Sequence, residues 1–260
     1  MDRRQFLKLS GQLAVAAVAV GAWAPAAKAA ILAPRGLVRD PIGRQPGFDV
    51  NLAEHTVSRL DASGQVRWTV GGLGEGPGQL NGPSAVATDA EGQVYVLDRG
   101  NRRVQLFDAE GRFRSAFDLA GSPRDLAVAA PGRVVVADAR GHVRCYENGR
   151  EAWASDAIGR PVAVAVDAHG QIHTVDALGC RVVVLDRHGR ELSSYGRSGQ
   201  GPGRFRAPRA IACGDGQMAI LDGMTGEVHV FSAGKLVDHH ASKGHAVRIA
   251  WADGAWRLGA

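Results

Sequence analysis

Four aspartates, Asp98, Asp138, Asp176 and Asp222, recur at matching places in the chain, and carboxylates are residues that can bind metals or act as bases. Recurrence in four equivalent settings points to a different use: each is expected to accept hydrogen bonds from the backbone, or from an arginine, of the turn that follows it. Three histidines gather in "DHHASKGH", at His239, His240 and His245. Adjacent histidines point different ways and no carboxylate is placed with them by spacing, so a solvated loop is expected and no metal site is assigned. "GGLGEGPGQLNGP", residues 71 to 83, has the glycine content of a phosphate cradle. It lacks the Gly-Lys-Ser/Thr ending and leads into a strand, so no helix N-terminus is there to hold an anion. No Ser-His-Asp or Cys-His arrangement is identifiable from spacing, and no catalytic residue or cofactor is assigned.

The glycine stretch has a near-copy, "GRSGQGPGRFRAP", at residues 196 to 208, which marks both as architecture. Self-comparison gives a period of about forty residues. "EGQVYVLDRGNRRVQLFDAEGRF" from Glu91 and "HGQIHTVDALGCRVVVLDRHGRE" from His169 superpose without a gap at an offset of 78. Further copies start at Phe48, Pro131 and Asp215. In each, a proline (Pro83, Pro123, Pro161, Pro208) opens a strand of small and branched residues, and a glycine turn leads to a second strand ending in the aspartate. A third strand and a weaker fourth follow. Short alternating strands joined by tight turns are antiparallel meanders, and four per repeat make the blades of a β-propeller.

The residues "VYVLDRGNRRVQLF", preceded by "GEGPGQLNGP", closely resemble the NHL repeat, with its Gly-Pro-Gly lead-in and Asp-x-x-Asn-x-Arg-Val core. The resemblance covers residues 47 to 260. Elsewhere the pattern departs: Asn101 is replaced by Gly141, Gly179 and Thr225, and Arg103 is retained only as Arg181. The expected fold is all-β, a propeller of four-stranded antiparallel blades. Five blades are expected, with six as the alternative if residues 31 to 46 hide a strand. The tail "HAVRIAWADGAWRLGA" matches the first two strands of a repeat and the N-terminal copy mainly the last two, so the two ends are expected to pair and close the ring.

"DRRQFLKLSG", followed by an Ala/Val run and "AKA", has the pattern of a twin-arginine export signal spanning residues 1 to 29. Residues 30 to 46 are a leader and 47 to 260 the propeller. The run is short and alanine-rich for a stable span, so no membrane anchor is expected after cleavage, and the mature chain is expected in the periplasm as a monomer. Cleavage removes four cations and one acid, lowering the formal charge from +5 to +2, and with it the case for nucleic-acid binding. Cys145, Cys180 and Cys213 show no CxxC spacing; free thiols are expected, with a Cys180–Cys213 disulfide as the alternative.

Loops before first strands and after second strands share one face of a propeller, and here they carry arginines, including Arg99, Arg102, Arg103, Arg181 and Arg206, whereas the opposite turns carry acids. Arg124, Arg160 and Arg209 flank the prolines that open first strands and are expected to ring the channel mouth. With Arg99, Arg102 and His245 they form the expected site for a protein partner or anionic ligand. The resemblance implies an alternative, because related propellers include lyases and calcium-dependent lactonases that hold a metal in the central channel. The polar candidates there are Asp125, Arg124, Arg209 and His245, among first strands that are mostly Ala and Val.

Overall fold

The computed structural model describes residues 35–38, 47–61, 63–242, 248–252 and 255–259. The expected export signal and His245 lie outside these residues. Every regular element among them is a strand.

The first sheet holds β1 (Arg35–Val38), β2 (Phe48–Asn51), β3 (Thr56–Leu60) and β4 (Val66–Gly71). Next come β5 (Pro83–Thr88), β6 (Val94–Asp98), β7 (Arg103–Phe107) and β8 (Phe113–Asp118), then β9 (Pro123–Ala130), β10 (Arg133–Asp138), β11 (His142–Glu147) and β12 (Arg150–Ala154). The fourth sheet holds β13 (Pro161–Val166), β14 (Ile172–Asp176), β15 (Arg181–Leu185) and β16 (Glu191–Tyr195). A short parallel pair, β17 (Arg197–Ser198) and β18 (Arg204–Phe205), precedes the fifth: β19 (Pro208–Gly214), β20 (Gln217–Asp222), β21 (Glu227–Ser232) and β22 (Lys235–Ala241). A two-stranded sheet, β23 (Arg248–Ala252) and β24 (Ala255–Gly259), ends the chain.

All five four-stranded sheets are antiparallel meanders in chain order, as the repeat predicts. The termini depart from the expected arrangement. β1 falls within the segment read as a leader and pairs with β2, completing the N-terminal sheet, while β23 and β24 pair with each other. No strand pairing joins the two ends among the described residues.

Burial follows position in the sheet. The second strands are closed in on both faces: β6 (VYVLD) and β14 (IHTVD) are buried at every residue. The fourth strands β8 and β16 are almost wholly exposed. The apolar clusters lie between successive sheets. Leu97 and Val104 pack with Leu126 and Val136, Val135 and Val143 with Val164 and Ile172, and Val175 and Val182 with Ile211 and Ile220. Val86 and Val94 meet Phe48 and Val57, and Leu221 and Val228 meet Ile249 of β23. Each sheet therefore buries its faces against its neighbours, as a repeat unit unable to bury its core alone must do.

Five turns share the sequence Asp-x-x-Gly-x. In each, at Asp61, Asp89, Asp108, Asp167 and Asp186, one carboxylate oxygen accepts the backbone N–H groups two and four residues on, at 2.7–3.1 Å. These are the acids of the opposite face, and local turn chemistry accounts for them. Gly111 in one such turn has φ +82° and lies under Trp68, whose ring a Cβ would approach to 2.8 Å. Trp68 donates its indole N–H to the Ala109 carbonyl at 2.9 Å, stapling the outer strand β4 to the next sheet.

Candidate functional site

The recurring aspartates are buried acceptors. Asp98 takes the Asn81 amide at 2.7 Å, the Asn101 side chain at 2.8 Å and Arg103 Nε at 2.8 Å. Asp138 takes the amides of Ser122 and Arg140 and Arg144 Nε at 3.0 Å; Asp176 takes the amides of Arg160, Leu178 and Gly179 and Arg181 Nε. Asp222 is held by four backbone N–H groups, those of Arg206, Ala207, Met224 and Thr225. Burial works against the charge of Asp138, Asp176 and Asp222, yet these hydrogen bonds outweigh it and hold the carboxyls below the ordinary aspartate value. An acid kept ionised and saturated with donors is a poor general base. Arg103 and Arg181, counted among the face arginines, are consumed in this scaffolding, and so is Arg144, which reaches Asp138 from two places further along its strand than Arg103.

The glycine stretch joins β4 to β5 and is pinned from the side. Arg103 donates to the carbonyls of Glu75, Gly76 and Gln79, Asn101 to that of Gly74, and Gln105 accepts the Gly78 amide. It is a connector between sheets, with its carbonyls turned to a guanidinium.

Arg99, Arg102, Arg124, Arg160 and Arg209 are exposed. The structure brings three of them close: partial burial first, then the charges of Arg99 and Arg160, lower the Arg124 guanidinium from its ordinary value. Arg160 and Arg209 line one pocket of about 500 Å³ with Arg206, Gly223 and Met224. The Arg209 side chain lies across Gly223, where a Cβ would meet its Cδ at 2.4 Å. Among the described residues no carboxylate lies within ion-pairing distance of Arg99, Arg124, Arg160, Arg206 or Arg209, whereas Arg103, Arg144 and Arg181 are all paired. Arg102 sits in a tight turn with φ +52°, its carbonyl accepting the Leu119 amide. Asp125, a channel candidate, accepts the Val164 amide at 3.0 Å and so ties β9 to β13.

Of the apolar side chains on loops that follow second strands, two are strongly exposed. Leu178 is 72% exposed and Met224 60%, at places equivalent to Gly100. The sequence reading missed them because a single apolar residue in a polar loop carries no periodic signal.

His239 and His240 lie in β22, paired with β21, and not in a solvated loop; a carboxylate also accompanies them, with Glu227 Oε1 3.2 Å from His239 Nε2. Seven residues of a fourth strand with mixed exposure looked like a loop because one lone polar strand lacks alternation. The three cysteines are free thiols.

Comparison with known proteins follows the same lines. Protein brain tumor of Drosophila melanogaster is 31% identical over 142 residues, 49% of this chain but only 14% of that protein. The mouse NHL repeat-containing protein 3 is 41% identical over 61 residues, 23% of this chain and 18% of its own length. The chain thus spans less than a fifth of these relatives. In fold it resembles a streptogramin B lyase structure, with a TM-score of 0.66 at 12% identity over 85% of this chain and 74% of that one. Virginiamycin B lyase from Staphylococcus aureus gives 0.63 at 12% identity, over 82% and 73%. A protein of unknown function from Bacteroides caccae gives 0.64 at 14%, over 82% and 84%. The model of the PQQ_2 family, described as outer membrane protein assembly factor BamB, matches residues 53–250. With its meander sheets and repeated Asp turns, the chain is a β-propeller of the NHL and PQQ type and belongs to the PQQ_2 family.

Proposed function

We propose that the chain is an exported binding propeller whose arginine-bearing loops capture a carboxylate-rich protein surface. The observation that carries this reading is the set of cations without acids among the described residues: Arg99 and Arg160 both repel Arg124, and Arg160, Arg206 and Arg209 share a pocket. Repulsion left uncompensated among the described residues is relieved by an incoming anion, and guanidinium forks match carboxylates in pairs. Exposed Leu178 and Met224 on the neighbouring loops favour a partner that also offers apolar contact, as a protein segment does and a free phosphate does not. The family match is consistent with work outside the cytoplasm, and the twin-arginine pattern supplies the route. In this reading the N-terminal sheet and the tail hairpin complete the ring by packing, since β1 lies next to β23 and β24.

Changing Arg124, Arg160 and Arg209 together to Glu tests it. The wild-type chain should bind a fluorescent Glu- and Leu-containing peptide more weakly as salt rises, and the triple variant should lose at least about tenfold in affinity, or 1.4 kcal/mol. Equal affinity with equal salt dependence in the two proteins refutes the arginine face.

The alternative is a metal-dependent lyase- or lactonase-type enzyme with its site in the central channel, and the fold likeness to streptogramin B lyase favours it. It requires a metal held by first-strand residues. Stoichiometric metal in the purified chain that disappears in Asp125→Asn would make it the better reading.

A further inference from the structure

Glu227 and His229 stand in the last full sheet where Arg103 and Gln105 stand in the second. The loop contacts confirm the equivalence: the Gly203 amide points to His229 Nδ1 at 3.3 Å, as the Gly78 amide points to Gln105 at 2.9 Å. In the second sheet a guanidinium fills the space between connector and blade, neutralising Asp98. In the last sheet that cation is gone. Its place is taken by an acid, Asp222 remains fully buried nearby, and His239 comes across from β22 to face His229 with ring centroids 4.8 Å apart.

We propose that Glu227, His229 and His239 form a binding site for a divalent transition ion of the zinc class, which supplies the positive charge that Arg103 supplies elsewhere. Their ligand atoms lie within 4.8 Å of one another, with Glu227 Oε2 3.8 Å from His229 Nε2 and Glu227 Oε1 3.2 Å from His239 Nε2. Ligands around one tetrahedral zinc, bonded at about 2.0–2.1 Å, sit about 3.4 Å apart, so a small contraction closes the site. His229 is fully buried, and its Nε2 and that of His239 have no hydrogen-bond partner. Two orphaned imidazole nitrogens beside one carboxylate are a cost in the metal-free chain and a donor set for an ion that prefers nitrogen and oxygen. His239 is a quarter exposed, which leaves an entry path and an open position for water.

Metal binding has a consequence for the connector. With Nδ1 accepting the Gly203 amide, the His229 proton sits on Nε2; coordination through Nε2 moves that proton to Nδ1 and breaks the long bond from Gly203. The connector of residues 199–203 therefore registers occupancy.

Calorimetric titration of the chain with zinc should show one ion bound per chain. Glu227→Gln and His239→Ala should each weaken binding by more than the about 10- to 100-fold that loss of an outer-shell partner costs, while His240→Ala on the opposite strand face should not. His229→Gln imports the residue of the second sheet, keeps an acceptor for Gly203 and secures folding, and it should bind as weakly as the other two. Cobalt should give the intense visible absorption of a low-coordinate site in wild type only, and the Gly203 amide resonance should shift with loading. Absence of saturable binding up to about 1 mM zinc, or unchanged affinity in Glu227→Gln and His239→Ala, overturns the proposal.

Discussion

The blade that follows Gly71 and the blade that follows Gly196 are built on one plan, yet one polar interior balances its acid with a cation and the other holds two acids and none. In the first, Asp98, Asn101, Arg103 and Gln105 form a closed network in which one guanidinium meets a carboxylate and three connector carbonyls. In the second, Asp222 is satisfied by backbone amides alone, Thr225 replaces Asn101, and Glu227, His229 and His239 crowd the vacated volume. A propeller tolerates the exchange because the backbone hydrogen bonds to the aspartate suffice to fix the turn. The arginine is a local solution to the connector, and other solutions serve. Arg144 shows a third: it reaches Asp138 from the Gln105 place and bridges to Glu151.

The largest test of this contrast is Arg103→Glu, which sets a second carboxylate against fully buried Asp98 and removes the guanidinium bonds to three connector carbonyls. A loss of about 3–5 kcal/mol is expected in urea unfolding, the range for breaking a buried pair. A loss under about 1 kcal/mol would mean that the network is decoration.

The converse exchange, Glu227→Arg, should transplant the pair. The introduced guanidinium would reach Asp222 as Arg103 reaches Asp98, raising stability by about 1.5–3 kcal/mol for charged hydrogen bonds and removing zinc binding. Destabilisation instead would show that the connector at 196–208 has lost its complementarity to a cation.

Tyr95 and His173 sharpen the comparison at a third pair of equivalent positions, each hydrogen-bonding the Asp of its turn, Asp89 at 3.0 Å and Asp167 at 3.2 Å. Burial lowers the His173 imidazole below its ordinary value despite the opposing pull of Asp167. The unfolded chain therefore takes up the proton first, and stability falls as pH drops from about 6.5 through the depressed folded value. His173→Tyr should flatten that limb of a melting-temperature profile taken between about pH 7.5 and 5, and an unchanged limb would separate it from this imidazole.

The smallest effect is expected at Arg124. Arg124→Gln removes an exposed, unpaired cation, so stability should change within about half a kcal/mol while peptide binding weakens. A cost like that of Arg103 would place Arg124 in the scaffold and out of the binding face.

The sequence by itself determined the repeat, the strand order within each sheet, the connector role of the glycine stretch and the acceptor role of the four aspartates. These follow from local rules: alternation for strands, glycine and aspartate for turns, and recurrence to separate architecture from chemistry. The Asp-x-x-Gly-x turns form from contacts within five residues, so their sequence is sufficient.

Tertiary structure alone decided which charges are free. Arg103 and Arg181 meet buried aspartates five residues back, as the repeat predicts, but only the structure shows that Arg124 stands near the charges of Arg99 and Arg160. The same holds for Glu227, His229 and His239, whose meeting depends on the pairing of β21 with β22, and for the ends of the chain, where β1 completes its own sheet. Local pattern fixes how a strand presents its side chains; what those side chains meet is set by register and by the neighbouring sheet, and no window of sequence contains that.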